Sequence, residues 1–164
     1  MGLTWKEICA DPIVAALPYK VESDQWGNIV MSPPPGYYHS SYQGQIVVLL
    51  GQLLTGGRAM PEFPLQTTKG VKGIDVVWMS RERQRQRPKR RDLSLIAPEI
   101  CVEVISPSNK RAEIAEKRSL YFEKGALECW TCDQHGKMTF YDLTGQTIPR
   151  SKLCPQFPLR LEED

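Results

Sequence analysis

Two carboxylates stand where carboxylates are unfavourable. Asp75 lies inside the apolar run Ile74-Asp-Val-Val-Trp-Met79, and Glu103 inside Ile100-Cys-Val-Glu-Val-Ile105. Both runs read as buried strands, and the second is apolar on both faces. A carboxylate withdrawn from water without compensation neutralises or destabilises the fold. Each acid must therefore face a cation, a metal ion or several hydrogen-bond donors. Asp75 alone could cap a strand start, and Glu103 alone could pair with a core Lys or Arg. Two acids on adjacent strands facing one pocket are also what a divalent ion such as Mg²⁺ takes from a protein, with waters in its other positions.

The segment after Glu103 offers a partner. Residues 109–124 have helical character and end at Gly125. Within them Glu113, Lys117 and Tyr121 lie at i, i+4 and i+8 and share one face. Either Glu113 and Lys117 form a surface pair, or Lys117 points back over the strand ends toward Glu103. The five cysteines, Cys9, Cys101, Cys129, Cys132 and Cys154, are odd in number and widely spaced, which does not read as a disulfide framework. The pair Cys129-Trp-Thr-Cys132 suggests redox or zinc chemistry. It sits in a strand-like run, however, where alternation sends the two thiols to opposite faces and denies them a shared metal.

Charge is unevenly spread over the 164 residues. Seven of the 21 Lys and Arg side chains fall between Arg81 and Arg91, namely Arg81, Arg83, Arg85, Arg87, Lys89, Arg90 and Arg91, with Glu82 as the one acid among them. The rest of the chain carries 14 cations against 18 acids, so a mildly acidic body bears one basic segment. That segment reads as a loop between the two acid-bearing strands, and if these are adjacent its base starts near the acids. It is either solvated or a contact for a nucleic-acid backbone.

The elements that must position these groups follow in order. A short helix or turn precedes a hairpin over 21–32, whose turn signal is Gly27-Asn28. Ser32-Pro-Pro-Pro-Gly36 is a rigid spacer. Tyr38, Tyr42, Ile46, Leu49, Leu50 and Leu53 recur at helical spacing, and Gly56-Gly57 ends that helix. A weak strand over 59–66, broken by Pro61 and Pro64, suits a sheet edge. The Asp75 and Glu103 strands and the helix come next, then a strand pair over 127–132 and 138–141, then an extended tail with Pro149, Pro155 and Pro158. The expectation is an α/β fold, a mixed β-sheet flanked by helices, in a single domain over 1–164. Hydrophobic residues at 41% and charged residues at 24% suit a globular domain and exclude wholesale disorder. No apolar run approaches the ~18 residues of a membrane span. The start MGLTWKEICADP lacks a secretory pattern, and Lys6 departs from the myristoylation pattern, so a cytoplasmic protein is expected.

The run Pro98-Glu-Ile-Cys-Val-Glu-Val-Ile-Ser-Pro-Ser-Asn109, with Glu113, Lys117 and Tyr121 and then Gly125-Ala-Leu-Glu-Cys-Trp130, resembles the Uma-two family of endonucleases, common in cyanobacteria and part of the PD-(D/E)XK nuclease superfamily. The resemblance extends upstream through Ile74-Asp75, and through Met31-Ser-Pro-Pro-Pro with His39, and covers roughly residues 18–142. It implies a restriction-endonuclease-like core with an N-terminal β-hairpin. It also implies hydrolysis of phosphodiester bonds in nucleic acid, DNA above all, with Mg²⁺ or Mn²⁺. Asp75, Glu103 and the carbonyl of Val104 would hold the metal and Lys117 would assist. Glu22, His39, Glu113 and Tyr121 would support the site, although His39 also reads as a plain helix-start residue. The chain departs from the superfamily pattern in two places. Ile74 replaces the proline before the first acid, and Ile105 replaces the lysine after the second, a role for which Lys117 stands in. The alternatives are an inactive nuclease-fold module that binds nucleic acid or a protein partner, and a small-molecule hydrolase or redox protein using Cys129 and Cys132. A homodimer is the expected assembly, since symmetric dimers are the commonest.

Overall fold

The computed structural model describes residues 2–15, 20–32, 35–89 and 92–163. Two short helices, α1 (Trp5–Ala10) and α2 (Pro12–Ala15), lead into the hairpin β1 (Lys20–Ser23) and β2 (Ile29–Ser32). Helix α3 (Tyr37–Leu53) follows, then β3 (Gly57–Thr67), β4 (Gly70–Ser80) and the short helix α4 (Arg81–Gln86). The chain continues with β5 (Ile100–Val104), α5 (Arg111–Glu123), β6 (Glu128–Cys132), β7 (Met138–Tyr141) and β8 (Thr147–Ile148). The hairpin forms its own two-stranded sheet, and the other strands form a six-stranded sheet in sequence order, β3 to β8. Only the β5–β6 pair is parallel, and α5 is the crossover that this pairing requires.

Side-chain alternation sorts the sheet into two cores. Val76, Val102, Val104, Trp130 and Phe140 face α3, which buries Tyr42, Ile46 and Leu50 on one stripe. Val77, Met79, Cys101 and Cys129 face the other way, against Leu120 and Tyr121 of α5. Cys129 and Cys132 thus lie on opposite faces, and burial beside Asp133 pushes the Cys132 thiol up to about 12. Such a thiol is inert, and the redox reading of the pair fails.

The hairpin is held against β4 by close backbone approach. Ser23 Oγ accepts from Val71 N at 2.8 Å and Ser23 O accepts from Lys72 Nζ at 3.0 Å. Gly70 has φ +84°, and a Cβ there would lie 2.3 Å from the carbonyl oxygens of Ser23 and Asp24. Only glycine meets both demands.

Two expectations change. The basic run opens as helix α4 rather than a loop, because Ser80 caps it by accepting from Arg83 N at 3.0 Å. The tail is not merely extended. Cys154, Phe157 and Leu161 enter the α3-side core, and the Phe157 ring lies 4.7 Å from that of Trp130. A third strand acid, Glu128, is buried with those two and holds the tail down. Its Oε1 accepts from Lys152 N (2.7 Å) and Leu153 N (3.1 Å), its Oε2 from Ser151 Oγ (2.7 Å) and Trp130 Nε1 (2.8 Å). Replacing it strands four donors. Glu128→Ala is expected to lower unfolding free energy by about 3 kcal/mol, and Glu128→Gln by less. Urea titration followed by tryptophan fluorescence checks this, and a loss under about 1 kcal/mol for the alanine variant would contradict it.

Candidate active site

The site begins with missing backbone bonds. Strands β4 and β5 pair at Trp78↔Ile100, Val77↔Cys101 and Val76↔Val102, and the ladder stops there. The next pair would be Asp75 and Glu103. Beyond the stop, the Val104 amide donates to Asp75 Oδ2 at 2.8 Å instead of to a strand carbonyl. The other edge of β4 is open at the same residue. The β3 register passes from Pro61↔Val76 to Phe63↔Ile74 and skips Glu62, which has φ +50°. That left-handed backbone is strained for a glutamate. The Asp75 carbonyl accepts instead from Gln43 Nε2 at 2.8 Å, and the same amide donates to Glu62 Oε1 at 2.6 Å.

Around Asp75 the charge is opposed at once. Lys20 Nζ donates to Oδ1 at 2.7 Å, and His39 Nε2 lies 3.3 Å from Oδ2. Burial pushes the carboxyl up, but His39 and Lys20 outweigh it and hold Asp75 below the usual carboxylate range. Burial likewise pulls the Lys20 ammonium down, while Asp75, Glu103 and Glu62 together keep it above its ordinary value. Lys20 reaches Asp75 through space that Gly73 leaves vacant, since a Cβ on Gly73 would lie 2.8 Å from Lys20 Cε.

Glu103 is less well compensated. Tyr121 donates its hydroxyl to Oε1, and Lys117 Nζ stands 3.9 Å from Oε2. Burial is the largest influence and Asp75 adds to it, so that, against Lys117, the carboxyl is pushed up to about 7. Lys117 bonds more closely to Glu22 Oε1, at 2.9 Å, and Glu22 also accepts from Gly73 N at 2.9 Å. Burial lowers the Lys117 ammonium, but Glu103 and Glu22 raise it further.

The structure therefore gathers Asp75, Glu103, Val104, Lys117, Tyr121, Glu22 and His39 at one end of β5. His39 is more than a helix-start residue: it is buried, and its Nδ1 has no hydrogen-bond partner among the described residues. Glu113 is exposed and stays outside the cluster, so the surface Glu113–Lys117 pair is replaced by Lys117–Glu22. The basic run is also placed otherwise than expected. Antiparallel pairing carries it away from the acids, and it leaves β4 at Ser80, about 17 Å beyond Asp75 at ~3.4 Å per residue. Arg83 serves the fold, donating Nη1 to Ala97 O at 3.1 Å and Gly125 O at 2.6 Å. Arg81, Arg85 and Lys89 are exposed, Arg87 is half-buried, and Arg90 and Arg91 lie outside the described residues. Lys20, Gln43 and Glu62 were not anticipated. Lys20 and Glu22 share one face of a strand, and Gln43 stands one turn after His39, so two of the three left a signal in the spacing.

These residues suit a hard divalent cation. Among the described residues no cluster of three His, Cys, Asp or Glu side chains forms a metal cage. Two carboxylates and a strand carbonyl are instead what Mg²⁺ takes when it keeps its waters. Burial, with the ionised Asp75 beside it, raises the Glu103 carboxyl against Lys117 and Lys20, and a cation between the two acids would favour its ionised form. The N–H and C=O of a strand residue point to the same side, so the Val104 carbonyl shares the side on which its amide meets Asp75.

Comparison with known proteins agrees with this architecture. No curated protein matches the chain. A crystal structure described as a "putative nuclease belonging to DUF820" from Anabaena variabilis is similar in fold, with a TM-score of 0.76 and 18% sequence identity over 96% of this chain and 94% of that one. The family model Uma2, "Putative restriction endonuclease", matches residues 16–157. With that stretch matched, the chain belongs to the Uma2 family.

Proposed function

We propose that the chain is a metal-dependent endonuclease that hydrolyses phosphodiester bonds of DNA at Asp75 and Glu103. The observation that carries this reading is the parting of β4 from β5 at these two acids, which places both beside the Val104 backbone. A Mg²⁺ or Mn²⁺ ion held there by Asp75, Glu103 and the Val104 carbonyl would supply the Lewis acid that activates water and offsets charge on phosphate. The remaining tasks fall to side chains. Tyr121 fixes the Glu103 carboxylate by its hydroxyl, and His39 orients Asp75. Lys117 has three donors; Glu22 takes one, keeps the ammonium charged and leaves the others to orient water or a phosphoryl oxygen. This ammonium replaces the lysine that Ile105 excludes. Lys20 neutralises Asp75. The same reading has the chain acting as one domain over 1–164, in the cytoplasm, as a homodimer with two copies of the site. Among the described residues no helix is long and apolar enough to cross a membrane.

A second reading rests on the Lys20–Asp75 bond, which already satisfies one acid at 2.7 Å. It makes the protein a nuclease-fold module that binds nucleic acid or a protein partner without cutting. Mutagenesis separates the two. Plasmid nicking with Mn²⁺ is expected to fall at least ~100-fold in Asp75→Asn and in Glu103→Gln, and about 100-fold in Lys117→Met with Mn²⁺ affinity retained. Nicking that survives Asp75→Asn would remove the assignment, and Mn²⁺ binding without nicking by the unmodified protein would favour the second reading.

The Glu103 carboxyl also sets a pH dependence. Folded, it holds its proton to about 7; its reference value is 4.5. The folded state then binds more protons than the unfolded one in that window, so metal-free stability falls as pH rises from 4.5 to about 7. Metal must displace the same proton, so Mn²⁺ affinity rises up to about tenfold per pH unit below about 7 and levels off above it. Calorimetric titration between pH 5.5 and 8.5 should show this slope in the unmodified protein; a flat profile would contradict it.

A further inference from the structure

We infer that a tyrosine-lined cleft beside the two acids is a subsite for one unstacked nucleobase of the strand being cut. The inference rests on the nuclease reading and adds to it what part of the substrate is held, and how.

Parallel strands β5 and β6 end together at Val104 and Cys132, so the loops after both emerge at the end where Val104 meets Asp75. The first turn of α3 lies across that end. His39 touches Asp75, and the neighbouring Tyr38 donates its hydroxyl to the Ile105 carbonyl at 3.4 Å, one residue past Val104. Between this turn and the loop after β6 is a cavity of about 180 Å³. Tyr37, Tyr38 and Ser41 line one side of it, with Gln134, His135 and Glu163 on the other. At ~30 Å³ per water that is room for about six waters, a space that one planar heterocycle fills.

The lining chemistry decides between the parts of a nucleotide. No Lys or Arg lines the cavity, and Glu163 stands 3.8 Å from His135 Nδ1, the one lining group that can carry a positive charge, so the lining favours a base over a phosphate. The Tyr37 and Tyr38 rings offer stacking faces, while the Gln134 amide and the Glu163 carboxylate can meet the polar edge of a base. Tyr37 is 78% exposed at the rim. An aromatic ring left in water next to a phosphodiester site is a stacking platform of the kind that single-strand binding uses. A base in this cleft has left its own stack. The substrate therefore presents an unpaired or extruded nucleotide next to the scissile phosphate, and single strands bind better than duplex.

The test uses the full chain with Ca²⁺ in place of Mg²⁺ and a single-stranded oligonucleotide carrying 2-aminopurine, alongside its duplex and versions with an abasic position walked along the strand. Stacking contributes ~1–3 kcal/mol per base. Tyr37→Ala and Tyr38→Leu should each weaken single-strand binding about tenfold while duplex affinity stays within about twofold. One abasic position should cost as much as Tyr37→Ala, and the two losses should not add. Fully additive losses, or single-strand affinity within about twofold in both variants, would overturn the subsite while Mn²⁺-dependent nicking leaves the nuclease reading standing. Absence of both binding and nicking in the unmodified protein would instead remove the reading on which the subsite rests.

Discussion

Everything at the candidate site depends on one residue of β4 at which backbone pairing is given up on both edges. A central strand ordinarily satisfies its amides with its neighbours, and a buried group left over is destabilising. At Asp75 the partners are side chains instead. Gln43 serves the Asp75 carbonyl, and the Asp75 carboxylate serves the Val104 amide. The strands can then part with these two groups satisfied, and the gap brings the Val104 backbone and two carboxylates together. The left-handed Glu62 stands at the same position on β3. Strain of this kind persists only where the surroundings over-determine it, and Gln43, bonded to both Glu62 and Asp75, is the group that does so.

The acids in the gap are balanced from outside the sheet. Lys20 comes from the hairpin and Lys117 from α5, and Glu22 on the hairpin joins the two by accepting from Lys117. The hairpin is thus part of the electrostatics, and Gly70 and Gly73 matter because they let it approach β4 closely enough. The balance is uneven. Asp75 has a direct cation at 2.7 Å and stays ionised, while Glu103 has its nearest ammonium at 3.9 Å and holds a proton to about 7. Two carboxylates with opposite shifts in one low-dielectric gap divide the available positive charge unevenly, and Asp75 takes the larger share.

Much of this was legible in the sequence because burial makes strong patterns. The strands bearing Asp75 and Glu103 announced themselves by apolar continuity, the two acids by violating it, and the opposite facing of Cys129 and Cys132 by simple alternation. Helical spacing put Lys117 and Tyr121 on one face, and one of its two readings turned Lys117 toward Glu103. What stayed hidden depended on three-dimensional closure. Lys20 lies in a short, half-buried strand; its spacing from Glu22 gives a shared face, but docking on β4 sets where that face points, so its partner 55 positions later has no local trace. Glu62 adopts a glycine-like conformation with no glycine to mark it. The basic run misled for a related reason: its position between the acids in sequence suggested nearness, but antiparallel strands carry a connection to the far end of the sheet.

Glu128 shows why a buried strand acid cannot by itself be read as catalytic. It lies on β6, next to β5, is as buried as Asp75 and faces the opposite core from Glu103. Four donors satisfy it, two of them backbone amides of the tail, and among the described residues no side-chain ammonium pairs with it. Fixed hydrogen bonds to the fold's own backbone use up the lone pairs that a metal or a substrate would need, and they make the carboxylate a clamp. Glu103 differs because, among the described residues, a tyrosine hydroxyl and an ammonium at 3.9 Å are its close partners, which leaves acceptor capacity directed into the gap. Unspent acceptor capacity facing a second acid is therefore what separates Glu103 from Glu128 in this fold, and burial is common to both.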